Sequence, residues 1–170
     1  MTNLLGNELD AESAKMLAEV AKQKGISLCG IRRDQTTADF SSQSLDPPNG
    51  ILLASDLLQA VVTGALTSID LSGNQLCAIW TDDGAQNGTY TAEGITAIAD
   101  ALRVNGRLTA LNLSTTRLKD EGVSAVCKAI QSNKETKLAS LNFKNNFIGP
   151  GGANAVAAMV AVTGALTKIE

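Results

Sequence analysis

Few residues in this chain have the types and spacing that catalysis requires. The 170 residues contain no histidine, no G-x-S-x-G nucleophile motif and no phosphate-binding G-x-x-x-x-G-K-[ST] motif. General acid–base and nucleophilic catalysis depend on such groups converging on one site. We therefore expect no catalytic residue, no cofactor and no enzymatic activity.

Metal and disulfide chemistry also find little support. Asp82, Asp83 and Asn87 lie among glycines, but the alternating oxygen ligands and the closing bidentate glutamate of a calcium loop are missing. The cysteines are three in number, at irregular spacing and without a C-x-x-C pair. We expect no metal site, and we interpret the cysteines as free, small apolar residues of a protein in a reducing, intracellular compartment.

The charge pattern argues against two classes of partner. The formal net charge is −3, which provides no basic surface for nucleic acid or for an anionic membrane. Residues 146–167 lack charge, but they are rich in alanine and glycine, contain Pro150 and Asn154, and align with other segments of the chain. They predict a packed helix and not a membrane span. We also identify no cleavable targeting segment at the start of the sequence.

The elements that would position any site come from a repeated pattern, L-x-x-L-x-L-x-x-N-x-L. It occurs in residues 66–76 (LTSIDLSGNQL), 108–118 (LTALNLSTTRL) and 138–148 (LASLNFKNNFI), and a shortened copy occupies residues 166–170 (LTKIE). The first leucines of these copies are 42, 30 and 28 residues apart. The two shorter spacings predict a strand that returns through a full helix in each unit. The spacing of 42 indicates an insertion.

Three helical segments confirm the period, because the residues that start at Gly94, Gly122 and Gly152 align position by position. Apolar residues recur on one face of each helix, and Cys127 aligns with alanines inside the stack. Upstream copies are weaker: a helix over residues 10–24 with Asp10 as its N-cap, a strand tail at 4–9, and a strand at 38–45 followed by a helix at 51–62. We predict one domain, 1–170, of five strand–helix units and a sixth strand, with irregular insertions at about 26–37 and 77–90.

This pattern resembles the leucine-rich repeats of the ribonuclease-inhibitor-like subfamily, which also occur in Ran GTPase-activating proteins and in the sensor domains of NOD-like receptors. The residues that carry the resemblance are Leu66/Ile69/Leu71/Asn74/Leu76, Leu108/Leu111/Leu113/Leu118 with Gly122, and Leu138/Leu141/Phe143/Asn146/Ile148 with Gly152. The resemblance implies an α/β solenoid, a curved right-handed stack with a parallel sheet on the concave side and helices on the convex side. It also implies a role in binding other proteins.

The concave face of such a stack would be small and polar. Its predicted side chains are Ser68, Asp70, Ser72, Ala110, Asn112, Ser114, Ser140, Asn142, Lys144, Lys168 and Glu170. This face has no large anchor residues such as Trp, Tyr or Arg, so we do not expect a partner to bind tightly to it. In the turns, Asn74 and Asn146 should be buried with their amides bonded to the backbone, while Gln43 and Thr116 replace that asparagine elsewhere.

The 77–90 insertion is one candidate contact, because it holds the only tryptophan and the only tyrosine of the chain. Insertions in repeat proteins map to loops, where partners are often bound. Trp80, Asp82, Asp83 and Tyr90 are therefore candidate partner-binding residues. The alternative is that Trp80 and Tyr90 fold back over an apolar patch of the stack.

The C-terminal end is the other candidate contact. Positions that carry a charged or polar residue in earlier helices, such as Lys128 and Gln131, carry Ala158 and Ala161 in the last helix. A helix that is apolar all round is usually buried, and the final strand lacks the polar cap that a solenoid normally has. We therefore expect this end to contact a partner chain or a second copy. The candidate residues are Asn154, Ala158, Ala161, Val162, Lys168 and Glu170. The alternative is that the alanine-rich face is merely small.

The sequence thus favours a non-enzymatic protein–protein interaction module. We expect a scaffold or a subunit that docks to a larger assembly through its C-terminal end and the 77–90 loop. One alternative is a GTPase regulator similar to the Ran GTPase-activating proteins, which a GTP hydrolysis assay would detect. Another is a fragment of a longer, receptor-like repeat protein.

Overall fold

The computed structural model describes residues 2–170, and for residues 60–63 and Thr81 it describes the backbone alone. The helices are α1 (Ala11–Lys24), α2 (Pro47–Thr63), α3 (Glu93–Leu102), α4 (Lys119–Ser132) and α5 (Pro150–Val160). The strands are β1 (Thr37–Asp39), β2 (Ser68–Asp70), β3 (Trp80–Asp82), β4 (Ala85–Asn87), β5 (Ala110–Asn112), β6 (Ser140–Asn142) and β7 (Lys168–Ile169). Strands β1, β2, β5, β6 and β7 form one parallel sheet in that order, and β3 pairs with β4 in an antiparallel hairpin.

The repeated leucines lie in register across the parallel sheet. Ile69 pairs with Leu111, and Leu111 pairs with Leu141, so that equivalent residues of three units face one another. All three side chains are buried, as are Leu71, Leu113 and Phe143 two residues further along. Because side chains alternate between the faces of a strand, this row forms the core beneath the sheet. The predicted α/β architecture with a parallel sheet is confirmed.

The helices pack against one another in chain order, from α1 on α2 to α4 on α5. Small residues permit the close approach of α2 and α3. A Cβ atom placed on Gly50 would lie 2.9 Å from the Cα atom of Gly94, a distance that real Cβ atoms do not adopt. Each helix therefore rests directly on its neighbour, and each unit covers the apolar flank of the one before it.

Buried asparagines connect neighbouring units at the turns, as the sequence predicts. The Asn74 side-chain oxygen accepts hydrogen bonds from the backbone N–H groups of Gln43 and Leu45, each at 3.0 Å. Its amide nitrogen donates to the carbonyl oxygens of Phe40 at 2.8 Å and Leu71 at 2.9 Å. These bonds satisfy backbone groups of two consecutive units that lie outside the sheet ladder.

A second pair of buried asparagines follows the helices, and the repeat pattern did not predict it. Asn133 donates to the carbonyl oxygens of Leu102 at 2.7 Å and Asn105 at 2.8 Å, which joins the end of α4 to the end of α3. The Asn105 side chain accepts from the N–H groups of Arg107 and Leu108. The helix ends of adjacent units are therefore connected by side chains, as the turns are.

The prediction for the first unit is wrong in one respect, because the segment at residues 4–9 does not form a strand of the parallel sheet. Asn3 forms an antiparallel bridge with Cys29, and the N–H group of Leu4 donates to the carbonyl of Leu28 at 2.8 Å. The buried carboxylate of Asp56 on α2 anchors this segment, since it accepts from the Leu28 and Cys29 N–H groups and from the Ser27 hydroxyl. The N-terminal residues thus pair with the irregular stretch after α1.

Helix boundaries agree with the prediction for α1 and differ for α2. Asp10 caps α1 by accepting from the N–H group of Ser13 at 2.7 Å. Helix α2 begins at Pro47, four residues before the predicted start. The reason is Asp46, whose carboxylate accepts from the Asn49 N–H group at 3.1 Å and so acts as the cap for a proline-led first turn.

The three cysteines are unpaired and buried. Cys127 lies inside the stack at 0% exposure, as its alignment with alanine predicts. Burial raises the pKa of the Cys77 and Cys127 thiols to about 12, because a thiolate is poorly solvated in an apolar interior. These buried side chains therefore act as packing residues.

Candidate interaction surface

The C-terminal end of the stack exposes helix positions that are buried in the preceding units. Leu102 in α3 and Ile130 in α4 are 4% and 2% exposed, but the equivalent residue in α5, Val160, is 47% exposed. Cys127 is fully buried, whereas the equivalent Ala157 is exposed. Helix α4 packs on α3, and α5 packs on α4. Among the described helices and strands, only α4 contacts α5, and Met159 of α5 is fully buried. The side of α5 that faces away from α4 is therefore open, and we call its apolar residues the open stripe.

The turn and strand of the same unit show the same difference. Ile148 is 39% exposed, although the equivalent Leu118 is fully buried. Ile169 on β7 is 40% exposed, although Leu141, its neighbour on β6, is fully buried. Val162, just after α5, is 68% exposed. Together these side chains extend the open stripe of α5 into one apolar end face.

Of the residues predicted for this end, Val162 is part of the face itself, and the others lie around it. Asn154, Ala158 and Ala161 are exposed on or directly after α5, and Lys168 and Glu170 are exposed at β7. Sequence comparison missed the centre of the face, which consists of Ile148, Ala153, Ala157, Val160 and Ile169. It examined positions that are polar in earlier helices, but the informative positions are those that are buried there. The alignment shows which residues occupy those positions, but it does not show that they are exposed in α5.

A charged pair lines the outer strand β7. The Lys168 Nζ atom lies 2.6 Å from Oε1 of Glu170, and Asn142 Nδ2 donates to Oε2 of Glu170 at 2.9 Å. The hydrogen bond from Lys168 and the charge of Lys168 lower the pKa of Glu170. The carboxylate therefore stays ionised at pH values below the usual titration range of a glutamate. The apolar end face is therefore bordered by one cation and one anion.

The 77–90 segment folds as the hairpin of β3 and β4, and its two aromatic residues have different surroundings. The Tyr90 hydroxyl donates to the carbonyl oxygen of Leu118 at 2.6 Å. The Lys119 ammonium lies 4.8 Å from the centroid of the Tyr90 ring, within range of a cation–π contact. Trp80 remains 41% exposed. Tyr90 thus secures the hairpin to the next unit, and Trp80 presents its ring at the surface.

The acidic residues of the hairpin lie at its tip. Asp82 ends β3 and Asp83 follows it in the turn, and both are exposed. Within the part of the chain that the structure describes, no three cysteine, aspartate or glutamate side chains come together in a way that would bind a metal ion. Among the same residues, no helix has both the length and the hydropathy needed to cross a bilayer.

A recess of about 320 Å³ lies between the hairpin and the C-terminal unit. Phe147, at the start of the turn into α5, lines it and is 70% exposed. The other lining residues are Ile79, Gln86, Arg117, Lys119, Asp120 and Gly149. The recess places the hairpin beside the turn that carries Phe147.

The open face of the parallel sheet is polar, and its side chains bond to one another. Asn112 Nδ2 donates to Oδ2 of Asp70 at 2.9 Å, and the Ser72 hydroxyl donates to Oδ1 of Asp70 at 2.6 Å. The recess on this face measures about 210 Å³. No aromatic residue lines it, in agreement with the small, polar face that the sequence predicts.

Comparison with known proteins identifies a family model that matches part of the chain. The family model described as "Leucine Rich repeat" matches residues 107–127, which include β5, its turn and the first part of α4. A search of curated proteins finds no matching relative. The matched segment is one of several units that share a register in the sheet and a packing order in the helices. The match and these units together support a leucine-rich repeat protein.

Proposed function

We propose that this chain is a non-enzymatic protein-interaction module that acts as a scaffold or as a subunit of a larger assembly. The observation that carries the proposal is the exposure of Val160, at 47%, where the equivalent residues of α3 and α4 are at most 4% exposed. The open end resembles an internal interface of the stack from which one side is missing. A partner that covers it would complete that interface.

Covering the end face is energetically favourable. Burial of an apolar side chain of this size contributes about 1.5–3 kcal/mol relative to full exposure. Ile148, Val160, Val162 and Ile169 are each between 39% and 68% exposed, so together they offer several kcal/mol to a partner. Asn154, Lys168 and Glu170 at the border supply a polar rim, which is the usual composition of a protein interface.

The hairpin supplies the second part of the proposed surface. Trp80 and Phe147 are 41% and 70% exposed, and aromatic residues dominate the binding energy of many protein interfaces. Phe147 lines the recess of about 320 Å³ beside the hairpin, and a partner side chain would enter there. The acidic pair Asp82 and Asp83 lies at the tip of the hairpin, where it would favour a basic contact.

The proposed location is inside the cell. The three cysteines are buried and unpaired, and free thiols persist in the reducing compartments of cells. An interaction module with this composition would meet its partners there.

Site-specific photo-cross-linking tests the proposed surface. A photoreactive amino acid replaces Val162 at the end face or Trp80 in the hairpin, and as a control it replaces Met16, which is 67% exposed on α1. In extracts of the source cells, we expect defined cross-linked bands from the first two sites and none from the control. Cross-links from Met16 alone, or equal labelling from all three sites, would contradict the proposed surface.

A pair of variants then distinguishes specific binding at the end face from nonspecific binding by exposed apolar residues. Val160→Ser reduces the apolar end face, and Val104→Ser changes a valine that is 57% exposed at the end of α3. We expect Val160→Ser to abolish the cross-links from position 162 and Val104→Ser to leave them unchanged. Equal loss in both variants would show that the contact does not depend on the end face.

A further inference from the structure

We propose that two copies of this chain pair through β7, by antiparallel strand addition about a two-fold axis at Ile169. This inference rests on the proposed function and names the partner of its C-terminal end as a second copy. Such a contact is self-complementary, because a two-fold axis uses the same surface on both subunits.

The backbone of β7 has the required direction of hydrogen bonding. The N–H groups of Lys168 and Glu170 donate to carbonyl oxygens of β6, those of Ala139 at 2.9 Å and Leu141 at 3.1 Å. Backbone groups alternate between the two edges of a strand, so the N–H and C=O groups of Ile169 point to the open edge. Opposite Ile169 of the partner subunit, these groups would exchange two hydrogen bonds, as a hydrogen-bonded antiparallel pair does.

The charges on β7 match this register. In this register Ile169 lies opposite Ile169 of the partner subunit. Lys168 then lies opposite Glu170 of the partner subunit, and Glu170 lies opposite Lys168 of the partner subunit. Residues at such non-hydrogen-bonded positions bring their side chains closest together, and opposite charges there are stabilising. The matched positions on β2, β5 and β6 carry Ser68 and Asp70, Ala110 and Asn112, and Ser140 and Asn142. Among these four strands, only β7 has a cation and an anion in the self-complementary arrangement.

The end face supplies the rest of the contact. Rotation about a two-fold axis through the joined strands keeps both α5 helices on one side of the extended sheet. Ala157 and Val160 on the open stripe of α5 then face the same helix of the second copy. A pairing of three residues is too short to hold a dimer by itself, and the apolar stripe provides the additional buried area that a stable interface needs.

Side chains bond to the carbonyl groups at the opposite edge of the sheet, which disfavours a head-to-tail arrangement through β1. The Gln35 side chain donates to the carbonyl oxygen of Thr37 at 2.8 Å, and the Gln43 side chain lies 3.4 Å from the carbonyl oxygen of Asp39. Bonded edge carbonyls are poor templates for another strand. Of the two edges, β7 is the one available for pairing.

Sedimentation equilibrium on the full chain tests the inference through charge reversal. The wild type should form dimers, and Lys168→Glu and Glu170→Lys alone should each weaken dimerisation by about tenfold or more, because each puts like charges opposite one another. A mixture of the two variants should form a heterodimer, since each position then faces the opposite charge. The double variant Lys168→Glu/Glu170→Lys should recover the wild-type affinity.

The control is Lys128→Glu, which reverses an exposed charge on α4 away from β7 and should leave dimerisation unchanged. Far-UV circular dichroism verifies that every variant is folded. A wild type that stays monomeric at all concentrations, or a mixture that fails to associate, would overturn the inference. Either result leaves the photo-cross-linking from position 162 to other proteins unaffected, so failure of the dimer is distinct from failure of the proposed function.

Discussion

Asn146 connects two neighbouring units through one side chain. Its oxygen accepts from the N–H groups of Thr116 and Leu118, each at 3.1 Å, and its nitrogen donates to the carbonyls of Leu113 at 2.7 Å and Phe143 at 2.9 Å. The side chain is 1% exposed, so water does not replace these partners easily.

Removal of this side chain should therefore be costly. We expect Asn146→Ala to lower the free energy of unfolding by about 2–4 kcal/mol, because it leaves several buried polar groups without partners. Gln43→Ala is the matched control, since Gln43 holds the same repeat position but is exposed, and it should cost less than about 0.5 kcal/mol. Urea denaturation measures both values. Similar losses in the two variants would contradict the role of Asn146.

Thr115 occupies a backbone conformation that suits other residues better. Its φ angle is +58°, in the left-handed region, and the equivalent residues are Gly73 and Asn145, with φ of +68° and +58°. A β-branched residue is strained in this region, whereas asparagine tolerates it.

We expect Thr115→Asn to raise the free energy of unfolding by about 0.5–1 kcal/mol, since it relieves part of that strain. Thr96→Asn, at an exposed site in the middle of α3, should change stability little, because threonine and asparagine have similar helix propensities. Thermal unfolding of both variants measures the effect. A lower stability of Thr115→Asn would show that the turn does not store this strain.

At the residue scale, the sequence was informative where a repeat position had one chemical role. The burial of Asn74, Asn146 and Cys127 followed from alignment alone. Asn105 and Asn133 were missed because the L-x-x-L-x-L-x-x-N-x-L pattern covers only the strand and the turn. In the helix alignment they share one position, eleven residues after Gly94 and Gly122. The burial of Asp56 was also unpredictable, since an aspartate within a helix is normally exposed.

Helix α5 begins at a carboxylate that belongs to the preceding helix. Asp120 accepts from the N–H group of Gly149 at 2.6 Å and from that of Gly151 at 3.1 Å. A Cβ atom on Gly151 would lie 2.9 Å from an oxygen of this carboxylate, which explains the glycine-rich sequence around Pro150. The N-terminus of α5, where an anion is favoured, is thus occupied from within the chain.

We expect Asp120→Ala to lower the free energy of unfolding by about 1–2 kcal/mol, in the range measured for the loss of a helix cap. The control is Asp100→Ala, which removes only the exposed contact with Arg103 and should cost less than about 0.5 kcal/mol. Chemical denaturation compares the two variants. An effect of Asp120→Ala no larger than that of the control would contradict the capping role.

At the element scale, the sequence placed each helix but missed the start of α2 and one strand pairing, each for a physical reason. The predicted start at residue 51 left Pro47 and Pro48 outside the helix, although proline fits the first helical turn when a residue such as Asp46 caps it. The pairing of Asn3 with Cys29 spans α1, and such non-local pairing leaves no periodic signal in the sequence.

At the scale of the whole molecule, the repeat period predicted the sheet order and the packing order of the helices. It did not reveal which part of the last unit is uncovered, because exposure depends on the neighbour and not on the residue. Val160 and Ile130 are both β-branched aliphatic residues at the same repeat position. Their exposed fractions are nevertheless 47% and 2%. Only the three-dimensional arrangement distinguishes them.

The central claim is that the stack is covered on both sides at α3 and α4 and on one side at α5. Amide hydrogen exchange, followed by mass spectrometry at a concentration where the chain is monomeric, tests it most directly. The account predicts that amides of α5 exchange faster than those of α3 and α4, because a helix with fewer buried contacts opens at a lower free energy. Protection of α5 equal to that of α3 and α4 would contradict the open end.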